Sequence, residues 1–184
     1  MTRITAALLV GSSRRQSLNR RLARAIETLS PDTISFRWIE MDRLPFYNGD
    51  LEDDRPAEVR AFTEAVAAVD AICIVTPEYN RSIPAVLKNA IDWGSKPPAA
   101  NVWRDKVIAV TGTSPGAIGT AVAQAHLREI LPILGAHVVP GEAYISFRTP
   151  DLIDEDGTIT DPSTRDFIAA FAARLADLAV RLKG

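Results

Sequence analysis

Short apolar runs alternate along this chain with stretches whose apolar residues recur every three or four positions. "ITAALLV" (4–10), "AICIVT" (71–76) and "KVIAVTGT" (106–113) are almost unbroken apolar runs, as in strands covered on both faces. "TISFRWIE" (33–40) alternates like a strand nearer a sheet edge, and "HVVPGEAYIS" (137–146) reads as a fifth strand whose Pro140 argues for an edge position. Helical spacing is carried by Leu18, Leu22, Ala25, Ile26 and Leu29, then by Val59, Phe62, Val66 and Val69. Ile83, Val86, Leu87, Ala90 and Ile91 mark a third helix. Val122, Leu127, Ile130, Leu131 and Leu134 mark a fourth, which Pro132 should kink or end early. Asp161 and Pro162 open a last helix with Phe167, Phe171, Leu175, Leu178 and Leu182 along its face. Five βα units in this order, with no linker or repeat, predict one domain built on a doubly wound parallel sheet.

Composition narrows the function classes. The 184 residues suffice for one sizeable core, and a net charge of −2 supplies no global field for nucleic acid or acidic lipid. No apolar run approaches the roughly 18 residues of a membrane helix, and the apolar start lacks a signal-peptide cleavage site, so a cytoplasmic protein is expected. One cysteine, Cys73, excludes an internal disulfide framework; inside "AICIV" it reads as a small core residue. Tyr79 stands six residues after it, where a tyrosine phosphatase needs arginine. His126 and His137 have no nucleophile or carboxylate at motif spacing and read as structural or surface residues, and no His/Asp/Glu cluster has metal spacing. The three tryptophans, Trp38, Trp93 and Trp103, read as packing residues.

Chemistry is concentrated in the loops after the first, third and fourth strands. In a doubly wound sheet, ligands bind outside the carboxyl ends of the strands. The first loop, "GSSRRQS", combines a turn at Gly11, hydroxyls at Ser12, Ser13 and Ser17, and guanidinium groups at Arg14 and Arg15. Ser17 caps a helix start whose free N–H groups favour an anion. A phosphate accounts for these features together; a polar loop with a serine cap is the alternative. Neither the dinucleotide pattern GxGxxG nor a P-loop is present, so a monophosphate such as that of FMN fits better than a pyrophosphate. The second loop, "TPEYNRSIP", is stiffened by prolines, and Ser82 or Ile83 is expected to begin the next helix with Pro84 in its first turn. Its backbone amides suit the polar edge of a planar ring, although a simple turn is an equal reading. The third loop, "GTSPGAIGT", offers close backbone approach at Gly112, Gly116 and Gly119. The irregular segments 42–54 and 147–161 are candidate site walls or subunit contacts.

Taken in order, these three loops resemble the NAD(P)H-dependent FMN reductase family of quinone, azo-dye, chromate and ferric-complex reductases. "GSSRRQSLNRRLA" is similar to its phosphate loop GSxRxxSxN, "PEYNRSIPAVLKNAIDW" to its most specific motif, and "SPGAIGTAVAQAHLREIL" to its third segment. The resemblance spans almost the whole chain. It implies a single flavodoxin-like domain over 1–184: an α/β fold with a five-stranded sheet in the order 2-1-3-4-5, helices on both faces and FMN at the switch point. By matching positions, Ser12, Arg14, Ser17 and Asn19 would hold the phosphate, with Leu18 beside them. Pro77, Glu78, Tyr79, Asn80, Arg81 and Ser82 would line the ring, and Ser114, Pro115 and Gly116 would close the far side. Arg81 and Ala85 stand where glycine is frequent, and the Arg81 guanidinium would steer a nucleotide phosphate or an anionic acceptor, or point to solvent or a neighbouring subunit.

The activity implied is a ping-pong oxidoreductase that takes hydride from NADPH or NADH through bound FMN to a broad small-molecule acceptor, in a homodimer or homotetramer. No side chain is named as catalytic, because the cofactor carries the reaction. Two rivals share parts of this reading. A flavodoxin-type electron carrier is usually far more acidic than this chain, and a non-enzymatic binding module leaves the three loops less well explained.

Overall fold

The computed structural model describes residues 3–149 and 151–183. Four parallel strands form the sheet's body: β1 (Ile4–Val10), β2 (Ile34–Trp38), β3 (Ala71–Val75) and β4 (Val107–Ser114), in the spatial order β2-β1-β3-β4. The fifth position corrects the expected single strand over 137–146. It holds two short strands, β5 (His137–Val138) and β6 (Tyr144–Ser146), and each pairs in parallel with a different part of β4. Pro140 has no N–H to give the ladder, and Gly141 takes a φ of +88°, so the chain leaves the sheet between them and returns. The order 2-1-3-4-5 is otherwise the one expected, with this position at the sheet's edge.

Each central strand divides its side chains between two cores. Ala6, Leu8, Cys73 and Ala109 pack toward α1 (Leu18–Leu29) and α5 (Pro162–Lys183). Leu9, Ile72, Ile74 and Ile108 pack toward α2 (Ala57–Ala67), α3 (Ala85–Gly94) and α4 (Ala121–Ile133). Alternation on a pleated strand explains why these runs show no polar face. Cys73 lies in this interior, where burial pushes its thiol up to about 12 and leaves no thiolate near neutral pH. Trp93 and Trp103 are fully buried, and α4 ends one residue after Pro132. Among the described residues no helix is long and apolar enough to cross a membrane. Within the irregular segment 147–161, Pro150 lies outside the described residues.

Two polar side chains set how the strand ends meet the helices. Buried Asn19 on α1 donates through Nδ2 to the Thr113 carbonyl (3.0 Å) and accepts from the Thr113 N–H (2.9 Å), which fixes the first helix to the end of β4. Glu78, after β3, accepts through Oε2 from the N–H groups of Val122 (3.0 Å) and Ala123 (3.2 Å). It does for α4 what Thr120 does not, since Thr120 makes no side-chain cap bond; a carboxylate at the positive helix end is the favourable charge there. At the opposite end of the sheet, Asp70 accepts from the Thr5 N–H (2.8 Å) and from Lys183 of α5 (2.9 Å).

Replacing Glu78 by alanine leaves two helix N–H groups without their acceptor. It should lower the unfolding free energy by about 1–3 kcal/mol in urea titrations, with Glu78→Gln losing less because one acceptor remains. An effect no larger than that of an exposed substitution would contradict this role. For Asp70, burial acts to raise the pKa, but the Thr5 N–H and the Lys183 and Lys106 charges outweigh it and hold the carboxyl below its ordinary 3.8. A carboxylate depressed in the fold stabilises fully above the unfolded value, and that contribution is lost as pH falls through the lower folded one. The urea midpoints of the parent and Asp70→Asn proteins should therefore differ at neutral pH and converge below pH 3.8.

Candidate active site

Parallel strands bring their carboxyl ends to one edge. Because the chain runs outward from β1 to β2 and then crosses to β3, the helices leave a crevice between β1 and β3. The Gly11 N–H donates to the Val75 carbonyl and the Thr76 N–H to the Thr111 carbonyl, both at 2.9 Å, so the ladder continues to the lip of that crevice. A side chain at Gly112 would place its Cβ 1.9 Å from the Thr76 carbonyl oxygen, so only glycine lets β4 come this close to the exit of β3. An open-sided cleft of about 140 Å³ results. It shares Arg14, Leu18 and Pro115 with an adjoining cavity of about 580 Å³.

The cleft gathers Ser12, Arg14, Ser17, Leu18 and Asn19 from the first loop and helix, Pro77, Glu78 and Tyr79 from the second, and Ser114 and Pro115 from the third. Asn80, Arg81, Ser82 and Gly116, also expected at the site, do not line it. Thr113 does, and the sequence reading missed it. Its sequence signal was its place in the glycine-rich third loop, one position ahead of the segment that carries the family resemblance.

The phosphate-loop residues keep capacity for a ligand. Ser12 and Ser17 are buried, and the Ser17 hydroxyl accepts from the Arg20 N–H (3.3 Å), which leaves its own hydrogen to donate. Arg14 forms no ion pair among the described residues. Ser13 is engaged elsewhere, donating to Asp42 (2.5 Å). Asn19 is also engaged: its amide is taken up by Thr113, so it shapes the cleft by holding two walls together.

The second loop is a tight hairpin turn. Tyr79 and Ser82 exchange both main-chain hydrogen bonds at 3.0 Å, and the two residues between them have positive φ, +51° at Asn80 and +63° at Arg81. That is the two-residue turn in which glycine is favoured at the second position, and an arginine there carries about 1–2 kcal/mol of backbone strain. Arg81 is mostly exposed and pairs with Glu78 Oε1 at 3.3 Å, so part of its charge is answered within the turn. Ser82 Oγ lies 3.1 Å from His126 Nδ1 on α4, a contact no sequence spacing announced. The helix itself begins at Ala85 with Pro84 as N-cap, two or three residues later than expected, because residues 79–82 are held in the turn.

Whether this donor set fits FMN is answered by its chemistry and by one buried atom. Two serine hydroxyls, an unpaired guanidinium and a helix N-terminus converge as a phosphate monoester requires. The hydroxyl of Thr113, 1 % exposed and lining the cleft, finds no hydrogen-bond partner among the described residues, and a buried polar atom left this way calls for a ligand's polar edge. The residues fit the group.

Residues 4–149 match the model of a family described as NADPH-dependent FMN reductase. The chain is similar to a 2-hydroxy-1,4-benzoquinone reductase of a Burkholderia species, at 44% identity over 92% of this chain and 93% of that protein. It is similar as well to an NAD(P)H:quinone oxidoreductase of Solanum tuberosum, at 38% identity over 98% and 95% of the two chains. Among solved structures, the flavoenzyme NAD(P)H:(acceptor) oxidoreductase FerB from Paracoccus denitrificans superposes with a TM-score of 0.92 at 38% identity, covering 97% of this chain and 98% of that one. Three loops meeting at one crevice, a donor set suited to a phosphate, and a match over most of the sequence agree: this chain belongs to the NADPH-dependent FMN reductase family.

Proposed function

We propose that this protein is an FMN-dependent NAD(P)H oxidoreductase that reduces small acceptors of the quinone type. The observation that carries the reading is the convergence of Ser12, Arg14 and Ser17 at the α1 N-terminus with the Pro77–Tyr79 and Thr113–Pro115 walls around one cleft. Ser12, Arg14 and Ser17 would hold the cofactor phosphate. Thr113 and the main chain of the second and third loops would face the ring's polar edge. When bound, FMN supplies the hydride-accepting and hydride-donating chemistry.

The chain's own contribution is orientation and electrostatics. Donors held in place beforehand, such as the Ser17 hydroxyl at the α1 N-terminus and the Thr113 hydroxyl on the cleft wall, need no reorganisation to stabilise negative charge that develops near them. Glu78 is committed to α4 and Arg81, and Asn19 to Thr113, so neither is a proton carrier in this scheme. The open side of the cleft admits nicotinamide and acceptor in turn, in keeping with alternating use of one face and a broad acceptor range. The reading includes a homo-oligomer in the cytoplasm. Phe46, 83% exposed on a loop held by Asn89 at the Tyr47 N–H (2.8 Å) and by Trp93 at the Pro45 carbonyl (2.7 Å), is the position that tests that association.

Purified protein should show flavin absorption that bleaches with NADPH under anaerobic conditions and returns on adding a quinone. Absence of flavin together with failure to take up FMN would end the reading. Arg14→Ala should weaken FMN binding to the apoprotein about 10- to 100-fold, read by quenching of flavin fluorescence, since one charge-assisted bond to phosphate is lost. Phe46→Ser should shift the protein toward smaller species in analytical ultracentrifugation; an unchanged distribution would remove Phe46 from the subunit contact.

A further inference from the structure

FMN brings one phosphate, and the first loop has a place for it, yet the arginines do not end there. Arg14 lines the cleft, whereas its neighbour Arg15 lines a separate groove of about 280 Å³ on the outer side of α1. The groove adds Arg20, Arg21 and Arg24 to Arg15, with Ser17 and Gln16 at its inner end and Glu155 as its one acidic residue. Four guanidinium groups beside a helix N-terminus, paired among the described residues with two carboxylates, Glu40 and Glu155, form a patch of net positive charge in a chain of net charge −2, beyond what the FMN site needs.

The groove is continuous with the active site. The cavity of about 580 Å³ shares Arg14, Leu18 and Pro115 with the cleft, and Gln16 and Arg21 with the groove. Its walls add Arg148, one carboxylate at Asp151, and buried Phe147 as an apolar surface. Read outward from the ring walls, the order is an open flavin face, a roomy cavity with Arg14 and Arg148, then the four-arginine groove. A phosphorylated dinucleotide has the same order: a planar ring, a pyrophosphate, and a ribose with its own phosphate.

We infer that this groove binds the 2′-phosphate of NADPH and so selects NADPH over NADH. The inference rests on the cleft being the site where the nicotinamide is oxidised. The existing contacts leave room for the anion. Arg21 pairs with Glu155 at 3.4 Å, and Glu155 is 76% exposed; Arg20 pairs with Glu40, itself 58% exposed. The long Arg21–Glu155 pair, exposed on its acidic side, yields to a dianion that takes bidentate bonds from arginine, whereas Arg20 stays with both Glu40 oxygens (3.0 and 2.8 Å) and over the Trp38 ring and adds its charge from there. Arg24 donates to the Glu155 carbonyl, which fixes the outer rim. Arg15 has no carboxylate partner among the described residues, so it is the guanidinium freest to serve a ligand.

The test uses the FMN-loaded protein with Arg15→Gln and Arg15→Glu, neither of which removes a contact of the fold. Adenosine 2′,5′-bisphosphate and 5′-AMP, which differ only in the 2′-phosphate, are titrated calorimetrically, and kcat/KM is measured for NADPH and NADH. The parent protein should bind the bisphosphate at least about tenfold more tightly than AMP. That preference, and the NADPH/NADH ratio of kcat/KM, should fall about tenfold in Arg15→Gln and further in Arg15→Glu. Equal affinity for the two nucleotides in the parent, or ratios that ignore both substitutions, would overturn the inference; so would an equal fall for both nucleotides, which marks general attraction of anions. If flavin still bleaches with either coenzyme while the ratios stay flat, the groove fails and the oxidoreductase reading stands. If the protein takes up no flavin, that reading fails, and the calorimetric preference still decides the groove.

Discussion

The main-chain N–H and C=O groups of β1, β3 and β4 are walled off from water on both faces by α1 and α5 on one side and by α2, α3 and α4 on the other. They can be satisfied only by neighbouring strands, so β1, β3 and β4 pair in register with one another and, on their outer sides, with β2, β5 and β6. Pairing ends where the strands end, and all three end at the same edge because they are parallel. Backbone groups, serine hydroxyls and helix N-termini that the sheet cannot use are collected there. The cleft follows from the burial of the sheet as much as from any residue within it.

That edge is held to shape by side chains with tasks distinct from ligand binding. Asn19 joins the helix behind the phosphate loop to the third wall, and Glu78 joins the second wall to α4. Both sit in segments with the family's sequence signature, and motif matching alone gives them the same standing as Ser12 or Arg14. Geometry separates them: Asn19 and Glu78 are engaged by Thr113, α4 and Arg81, whereas Ser17 keeps its hydroxyl hydrogen to donate and Arg14 forms no ion pair among the described residues. Thr113 is the converse case, a buried hydroxyl with no hydrogen-bond partner among the described residues, one position ahead of the segment that carries the family resemblance. A cleft assembled in this way separates groups left open to a ligand from groups that keep them in place.

The turn at Tyr79–Ser82 shows how strain is retained near such a site. Arginine at a positive φ is unfavourable, and it persists because the Tyr79–Ser82 bridge, the Glu78 contacts to α4 and the Ser82–His126 contact over-determine the turn. A backbone held in one conformation from three sides keeps the Pro77–Tyr79 wall of the cleft at a fixed position, which preorganisation needs.

The hydrophobic pattern by itself determined the elements and their class. Period-two and period-3.6 burial are local properties, and the runs at 4–10, 71–76 and 106–113 become β1, β3 and β4 almost to the residue. The order 2-1-3-4-5 and the residues of the cleft came with the family resemblance, because strand neighbours are chosen by long-range packing that periodicity does not encode. Only the tertiary structure decided the rest. Pro140 and Gly141 split the edge strand because the sheet there has one neighbour to hold it, and the turn at 79–82 delayed α3 because its bridge outweighs helix propensity. The assignment of Arg14 and Arg15 to different cavities, and of Thr113 to the cleft, likewise depends on which surfaces α1 and β4 present once packed, a relation between residues about 90 positions apart that no local pattern carries.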